Sequence, residues 1–497
     1  MTKRRSAVVS ACFALLLVLA FPEPLLAERT ARLGGTVKFF TSVYTEGEDG
    51  AGLFDHEAGD FALTRVELRA RLDGDVSENV SFRSRVDFIH TVDARFETFE
   101  DLESGNGFSS QVQDVDLYFK EGSFKVEDLF VSGLDLTAGR QRVRWGTSDE
   151  WNVIDNLNPV DYANLFSFDP DYFVDHIPMD GVTAEYRFPV DFDLKVQAVW
   201  FPAFKPSPLP EGFESYLLLV QQATLDSLTS SFGLPRGTTR AVLSDVPGYR
   251  LGTSVYGLRV SANLANFDLG LSYYHGHYTL PLPEKVQVGL EEGLPSLEVR
   301  YGYPRVDVFG FDLAGEIRTV GVWAEVGVYL SEDVKTELHA AVAPDLPPVK
   351  VPLLKRPYTK FTVGFDYTFG VGDGLYWNTQ YNRGFYDEFG YTREARNLVG
   401  TGNTPFLGEL EDYYISYLEY AFFNDTLKVT LNGLLEVADY GDFRNRHAWM
   451  FNPEFELVPF DGASLLAGYA LIAGARDSKF GLFSGSDVLY LLLKAFF

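Results

Sequence analysis

Along most of this chain polar and apolar side chains alternate one by one, and a period of two admits sheet and little else. Residues 65–72 show it most plainly. Val66, Leu68, Ala70 and Leu72 take one face, and Arg65, Glu67, Arg69 and Arg71 take the other. Next, Phe82, Val86 and Phe88 oppose Arg83, Arg85 and Asp87, and Val115, Leu117 and Phe119 oppose Asp114, Asp116 and Lys120. Later, Leu194, Val196, Ala198 and Trp200 oppose Asp193, Lys195 and Gln197. Phe361, Val363, Phe365 and Tyr367 oppose Lys360, Thr362 and Asp366.

A soluble sandwich alternates too, so the connections decide between the two. Short links fall near 73–78, 189–191, 264–266, 370–374, 424–425 and 461–463. Long links fall near 45–60, 89–110, 146–178, 202–251, 279–303, 331–356 and 384–411. Short periplasmic turns and long extracellular loops alternate in this way in membrane barrels. Hydrocarbon offers a strand edge no hydrogen-bond partner, so the sheet must close. The expected fold is all-β: a single transmembrane antiparallel β-barrel of about 18 strands, within a range of 16–18.

Both ends agree with export. Lys3, Arg4 and Arg5 precede an apolar run over 7–21, and Ala27 offers a cleavage site, so residues 1–27 read as a signal peptide and 28–497 as the barrel. The only cysteine, Cys12, lies in that leader, which leaves the barrel without disulfides, zinc-thiolate sites or thiol nucleophiles. At the other end Phe497, Ala495, Leu493, Leu491 and Leu489 share one face. A short apolar strand ending in an aromatic resembles the assembly signal of bacterial outer-membrane barrels. The resemblance implies the barrel assembly machinery as a partner and Phe497 as the residue it reads. The formal net charge of −28 argues against nucleic acid as a partner. Acids gather at 46–50 and 55–60, either as a solvated rim or as a divalent-cation contact with lipopolysaccharide. Aromatic residues make up 15% of the chain, which suits interfacial girdles against outer-membrane lipid.

The densest constellation is Gly139-Arg140-Gln141-Arg142-Val143-Arg144-Trp145-Gly146. Arg140, Arg142 and Arg144 at spacing two are expected on one strand face, turned to the lumen because lipid is a costly place for them. With Arg65, Arg69, Arg71, Arg83 and Arg85 they would build a basic wall facing Glu67, Asp87, Asp114 and Asp116. Such a wall selects permeant charge, or its charges pair and stiffen the barrel, and the two roles are compatible. The segment 147–178 carries Asp149, Glu150, Asp155 and Asp161 together with Trp151, Tyr162 and Phe166. It reads as a constriction loop or as an ordinary outward loop. Apolar residues in 214–232 recur at helical spacing, as in a short helix over the barrel mouth or a plug inside it. His275 and His277 share a strand face without an evident third ligand, so no metal site is expected. No serine–histidine arrangement suggests an enzyme, Asp175-His176 alone is a weak couple, and no cofactor is implied.

Gly-Arg-Gln at 139–141, Trp145-Gly146 and Asn158-Pro159-Val160-Asp161 resemble motifs of a porin-like outer-membrane family of largely unassigned function. The stretch 303–310, Tyr-Pro-Arg-Val-Asp-Val-Phe-Gly, is similar as well. The resemblance implies a bacterial outer-membrane location and passive passage of small solutes. Two alternatives stay open: a facilitator of hydrophobic compounds such as fatty acids or hydrocarbons, to which some relatives are linked, and a structural barrel without transport. The sequence leaves open the solute and whether the barrel forms a homo-oligomer.

Overall fold

The computed structural model describes residues 31–47, 56–94, 115–149, 151–162, 169–172, 175–209, 225, 237–244, 246–248, 250–291, 293–332, 335–340, 349–395, 407–476 and 478–497. Its main element is a ring of eighteen strands. They are β1 (Ala31–Tyr44), β2 (Phe61–Ser77), β3 (Val80–Ala94), β4 (Val115–Val126), β5 (Leu134–Gln141), β6 (Met179–Arg187), β7 (Lys195–Phe201), β8 (Val255–Leu264) and β9 (Phe267–His277). They continue with β10 (Arg305–Ile317), β11 (Val320–Ser331), β12 (Tyr358–Phe369), β13 (Leu375–Arg383), β14 (Asp412–Phe422), β15 (Leu427–Val437), β16 (His447–Phe460), β17 (Ala463–Gly474) and β18 (Val488–Phe496). Each pairs antiparallel with its chain neighbours, and β18 returns to pair with β1. Closure leaves no free sheet edge at the seam.

Phe497 lies at that seam. Its N–H donates to the Gly35 carbonyl (3.1 Å), and its carbonyl accepts from the Gly35 N–H (2.8 Å). A Cβ on Gly35 would stand 2.5 Å from the Phe497 ring, so only glycine leaves room for it. The rim that holds the start of β1 and Phe497 is made of short turns. Between β8 and β9 the turn is two residues, Ala265 and Asn266, both at positive φ (53° and 65°), the geometry that matches strand twist.

Register and exposure give the two faces. Leu33, Leu271, Phe309, Phe455 and Leu489 stand out from the barrel and are exposed, forming an apolar belt that water would penalise and a bilayer accepts. Aromatic pairs such as Phe82 with Phe124 and Phe369 with Trp377 ring its short-turn end. The opposite faces carry the charges that alternation places inside, and Arg65, Glu67 and Asp87 are buried there.

Four links not evident from sequence also exist, at 127–133, 318–319, 438–446 and 475–487. The first is as apolar as a strand (Leu129, Phe130, Val131), and the second is an Arg-Thr pair with no turn-forming signature. On the long-loop side three loops contribute a second sheet, in the order Thr238–Leu243, Leu294–Gly302, Leu282–Glu291, Lys335–Ala340, Val349–Pro352. The largest apolar core joins this sheet (Leu282, Val286, Val299) to inward residues of β7–β12 (Phe201, Tyr274, Tyr329). The leader, Asp114, Glu150 and Phe166 lie outside the described residues, as does 214–232 apart from the buried Leu225.

Candidate functional site

The segment after β5 turns into the barrel instead of outward. Its root is set by residues of the motif noted above. Asn158 accepts from the Val143 N–H (2.9 Å) and donates to the Ile177 carbonyl (2.9 Å), which ties the outgoing and returning chains together. Val160 and Asp161 pair with His176 and Asp175 in a two-residue ladder. Trp145 is buried and donates to Gln197 on β7 (2.7 Å); a Cβ at Gly257 on β8 would stand 2.6 Å from its ring. Gly146 has φ of +98°, and a Cβ there would overlap the Asn152 side chain, so the position after Trp145 requires glycine.

Beyond the root the chain is held by opposite sides of the ring. On one side the buried Glu325 carboxylate of β11 accepts from the N–H groups of Thr147 (2.5 Å), Ser148 (2.6 Å) and Val153 (3.0 Å). Asn378 of β13 donates to Asp149, Gln380 donates to the Trp151 carbonyl, and the Trp151 ring lies against Phe385. On the other side Lys38 of β1 meets Asp169 (2.7 Å) and Asp171 (2.9 Å), and Lys494 of β18 meets Asp171 (2.7 Å). Lys120 of β4 meets Asp175 (2.6 Å). The segment therefore crosses the barrel interior.

The arginines divide into three groups. Arg65, Arg69, Arg71, Arg83 and Arg85 share the inward face of β2 and β3. Each has a wall acid beside it: Glu67 for Arg65 and Arg69, Asp87 for Arg85, Asp73 for Arg71 and Arg83. Arg71 and Arg83 are still 55% and 56% exposed, so they face open space as well as their partners. Arg140 corrects the expectation of three arginines on one lumen face. It pairs across β4 with Gly122, on the outward side of the wall, where it lies over the Phe119 ring and bonds Asp180 (2.9 Å). Arg142 and Arg144 follow the last strand residue, Gln141, so strand alternation no longer governs them. Arg142 meets Asp155 (3.4 Å) and His176, and Arg144 donates to the Ser148 carbonyl (2.9 Å). Asp116 pairs with Ile89 in the β3–β4 ladder.

Sequence reading missed the opposite wall. Glu316 on β10, Asp366 on β12 and Glu419 on β14 are inward by register with Gly321, Asn378 and Tyr376. In a ring of eighteen they face β2 and β3. Their alternation with apolar neighbours was a usable signal, but nothing local tells which strands stand opposite one another.

Asp155 is fully enclosed in the folded-in segment. Burial pushes its carboxyl up to about 6, against the opposing pull of Arg142 and of the Trp145 N–H. Burial, with Arg142 beside it, pushes the His176 imidazole down to about 3, so it is neutral and its Nδ1 accepts from Arg142. Among the described residues no group of three or more His, Cys, Asp or Glu could hold a metal ion.

The sequence profile of a family described as "Protein of unknown function (DUF1302)" matches residues 3–410. No curated protein matches the sequence. Among solved structures the chain is similar to OccK1 (OpdK) of Pseudomonas aeruginosa, at 10% identity and a TM-score of 0.46, covering 94% of this chain and 98% of that one. It is similar to OccK9 (OpdG) of the same organism, at 10% identity and 0.48, covering 95% and 99%. Salmonella typhi OmpF, in a complex with daunomycin, matches at 9% identity and 0.41, covering 96% and 100%.

Proposed function

The chain belongs to the DUF1302 family of proteins of unknown function, and from that premise we propose that it is a porin-like channel of the bacterial outer membrane for passive passage of small solutes. One observation carries the reading: a closed barrel whose interior is crossed by a chain segment and bears unlike charge on its two sides. Arg69, Arg71, Arg83 and Arg85 stand on one wall and Glu316, Asp366 and Glu419 on the other. Charge arranged this way in a low-dielectric tube makes a transverse field that orients and sorts permeant ions. The crossing segment, with Asp149, Trp151 and Asp155, serves as the constriction. No catalytic step is part of the proposal.

The test is electrical. Purified, folded protein in planar bilayers is expected to conduct. Replacing Arg71 and Arg83 with glutamate is expected to move the reversal potential under a salt gradient toward cation preference. Folded protein that never conducts would overturn the reading. A pH effect follows from Asp155. As pH falls through about 6 the carboxyl takes a proton, its negative charge is lost beside Arg142, and the passage becomes more positive. Anion preference should therefore rise between pH 7 and pH 5, and Asp155→Asn should flatten that dependence.

Residues 1–27 act as the cleaved leader and Phe497 as the assembly signal in this proposal. Deleting Phe497 removes both hydrogen bonds to Gly35. It is expected to lower the amount of heat-modifiable, folded barrel in outer-membrane fractions several-fold, read by gel mobility.

A second reading, a facilitator of hydrophobic compounds, is favoured by a recess beside the crossing segment. Tyr162, Tyr274, Tyr278, Tyr329, Leu280 and Phe389 line it, with the Lys360 ammonium 5.2 Å from the centre of the Tyr329 ring. Saturable quenching of intrinsic fluorescence by a fatty acid, absent in Tyr329→Ala, would support it.

A further inference from the structure

The ladder between β4 and β5 joins five residue pairs, from Gly122–Arg140 to Val126–Leu136, and is the shortest in the ring. Five residues of strand are about 17 Å long, and at the usual tilt they cover roughly half of an apolar band ~25 Å tall. Above Gly122, β4 continues through Val115 and pairs with β3 alone among the described residues. Its former neighbour has left the wall, because the chain turns inward after Gln141.

Exposure marks the same place. Leu117 (71%) and Phe119 (52%) point outward, as strand residues facing lipid should. Tyr118 pairs with Asp87 on the inner face, so its side chain starts from the inner face too; unlike the buried Asp87, it is 51% exposed. Side chains bridge the gap where a strand would otherwise run. Arg140 donates to the Phe119 carbonyl (2.9 Å), and Lys120 reaches Asp175 of the crossing segment (2.6 Å). Hydrocarbon does not tolerate unpaired strand edges, but a passage through the wall does, since there the edge lines a cavity.

We propose that this gap is a lateral portal, through which small apolar molecules move between the barrel interior and the outer leaflet. The sill carries Arg140 and Asp180, and the lip carries Leu117 and Phe119. Only a solute that gains by entering hydrocarbon has reason to leave sideways. The portal rests on the membrane-barrel reading and adds an exit that axial passage does not need.

The test uses the full chain, whose sole native cysteine is Cys12 in the leader. Bimane is attached at Tyr118→Cys, at Leu117→Cys as an outward control and at Asn432→Cys as an inward control on the fully paired β15. The folded variants are placed in bilayers containing acyl-chain nitroxide lipid. Expected is quenching at 118 close to that at 117, with 432 unquenched. A label at 118 as protected as that at 432 would overturn the portal. In a second arm, a bulky maleimide at 118 should slow transfer of a naphthylamine probe into the membrane several-fold while ion conductance persists; unchanged transfer overturns the proposal. Quenching at 118 without conductance would leave the portal standing and remove the axial channel instead, whereas conductance without quenching does the reverse.

Discussion

Replacing Glu325 with leucine is expected to raise single-channel conductance several-fold. Its carboxylate holds three backbone N–H groups of the crossing segment, those of Thr147, Ser148 and Val153. Leucine keeps the volume and removes every acceptor. Each N–H left buried without a partner costs about 1–3 kcal/mol, so the segment does better by leaving the wall and finding water. The remaining ties to β13, through Asn378 and Gln380, are single hydrogen bonds and do not replace three to one carboxyl group. The barrel itself should persist, since β11 keeps its ladders to β10 and β12. Conductance in planar bilayers and heat-modifiable mobility on gels read the two effects separately. A folded variant with unchanged conductance would show that this segment does not limit flow.

Lys479→Met should be the most destabilising single change in the long-loop half of the barrel, by about 3–5 kcal/mol. The Lys479 ammonium is buried, contacts the Asp387 carboxylate, and lies 3.2 Å from Glu388 and 4.4 Å from the centre of the Phe385 ring. Its own backbone N–H and that of Phe480 donate to Glu436 on β15. One cation from link 475–487 thus serves Asp387 and Glu388 of loop 384–411, while the adjoining backbone is tied to Glu436 of β15. Methionine matches the length and leaves Asp387 and Glu388 buried without the charge. The loss is read as a lower urea midpoint for unfolding in detergent. A midpoint shift worth less than about 1 kcal/mol would mean that water reaches these carboxylates.

How much of this was legible beforehand differs by feature. The alternation at 65–72 and 82–88 has the faces that the register confirms, and the expected strand number of about eighteen matches the ring, although four of its seventeen links were not evident from sequence. The same rule misplaced Arg140. Its period of two is real, but the side that counts as inward on β5 is fixed by the β4 partner, and a bulge between Arg85 and Val86 shifts that partner's parity. Arg142 and Arg144 failed for a different reason: the strand ends at Gln141, and Asn158, seventeen residues beyond it, holds the chain there.

The sequence by itself determined the class of fold. Period two, the absence of a long apolar run and the alternating link lengths leave a closed membrane sheet as the solution, because hydrocarbon satisfies no backbone group. Tertiary structure alone decided what the interior is. Which walls stand opposite, where a segment crosses and where a ladder stops short are relations between residues far apart in the chain. Lys38 meets Asp169 and Glu325 meets Thr147 across the ring, and no local pattern encodes such a distance.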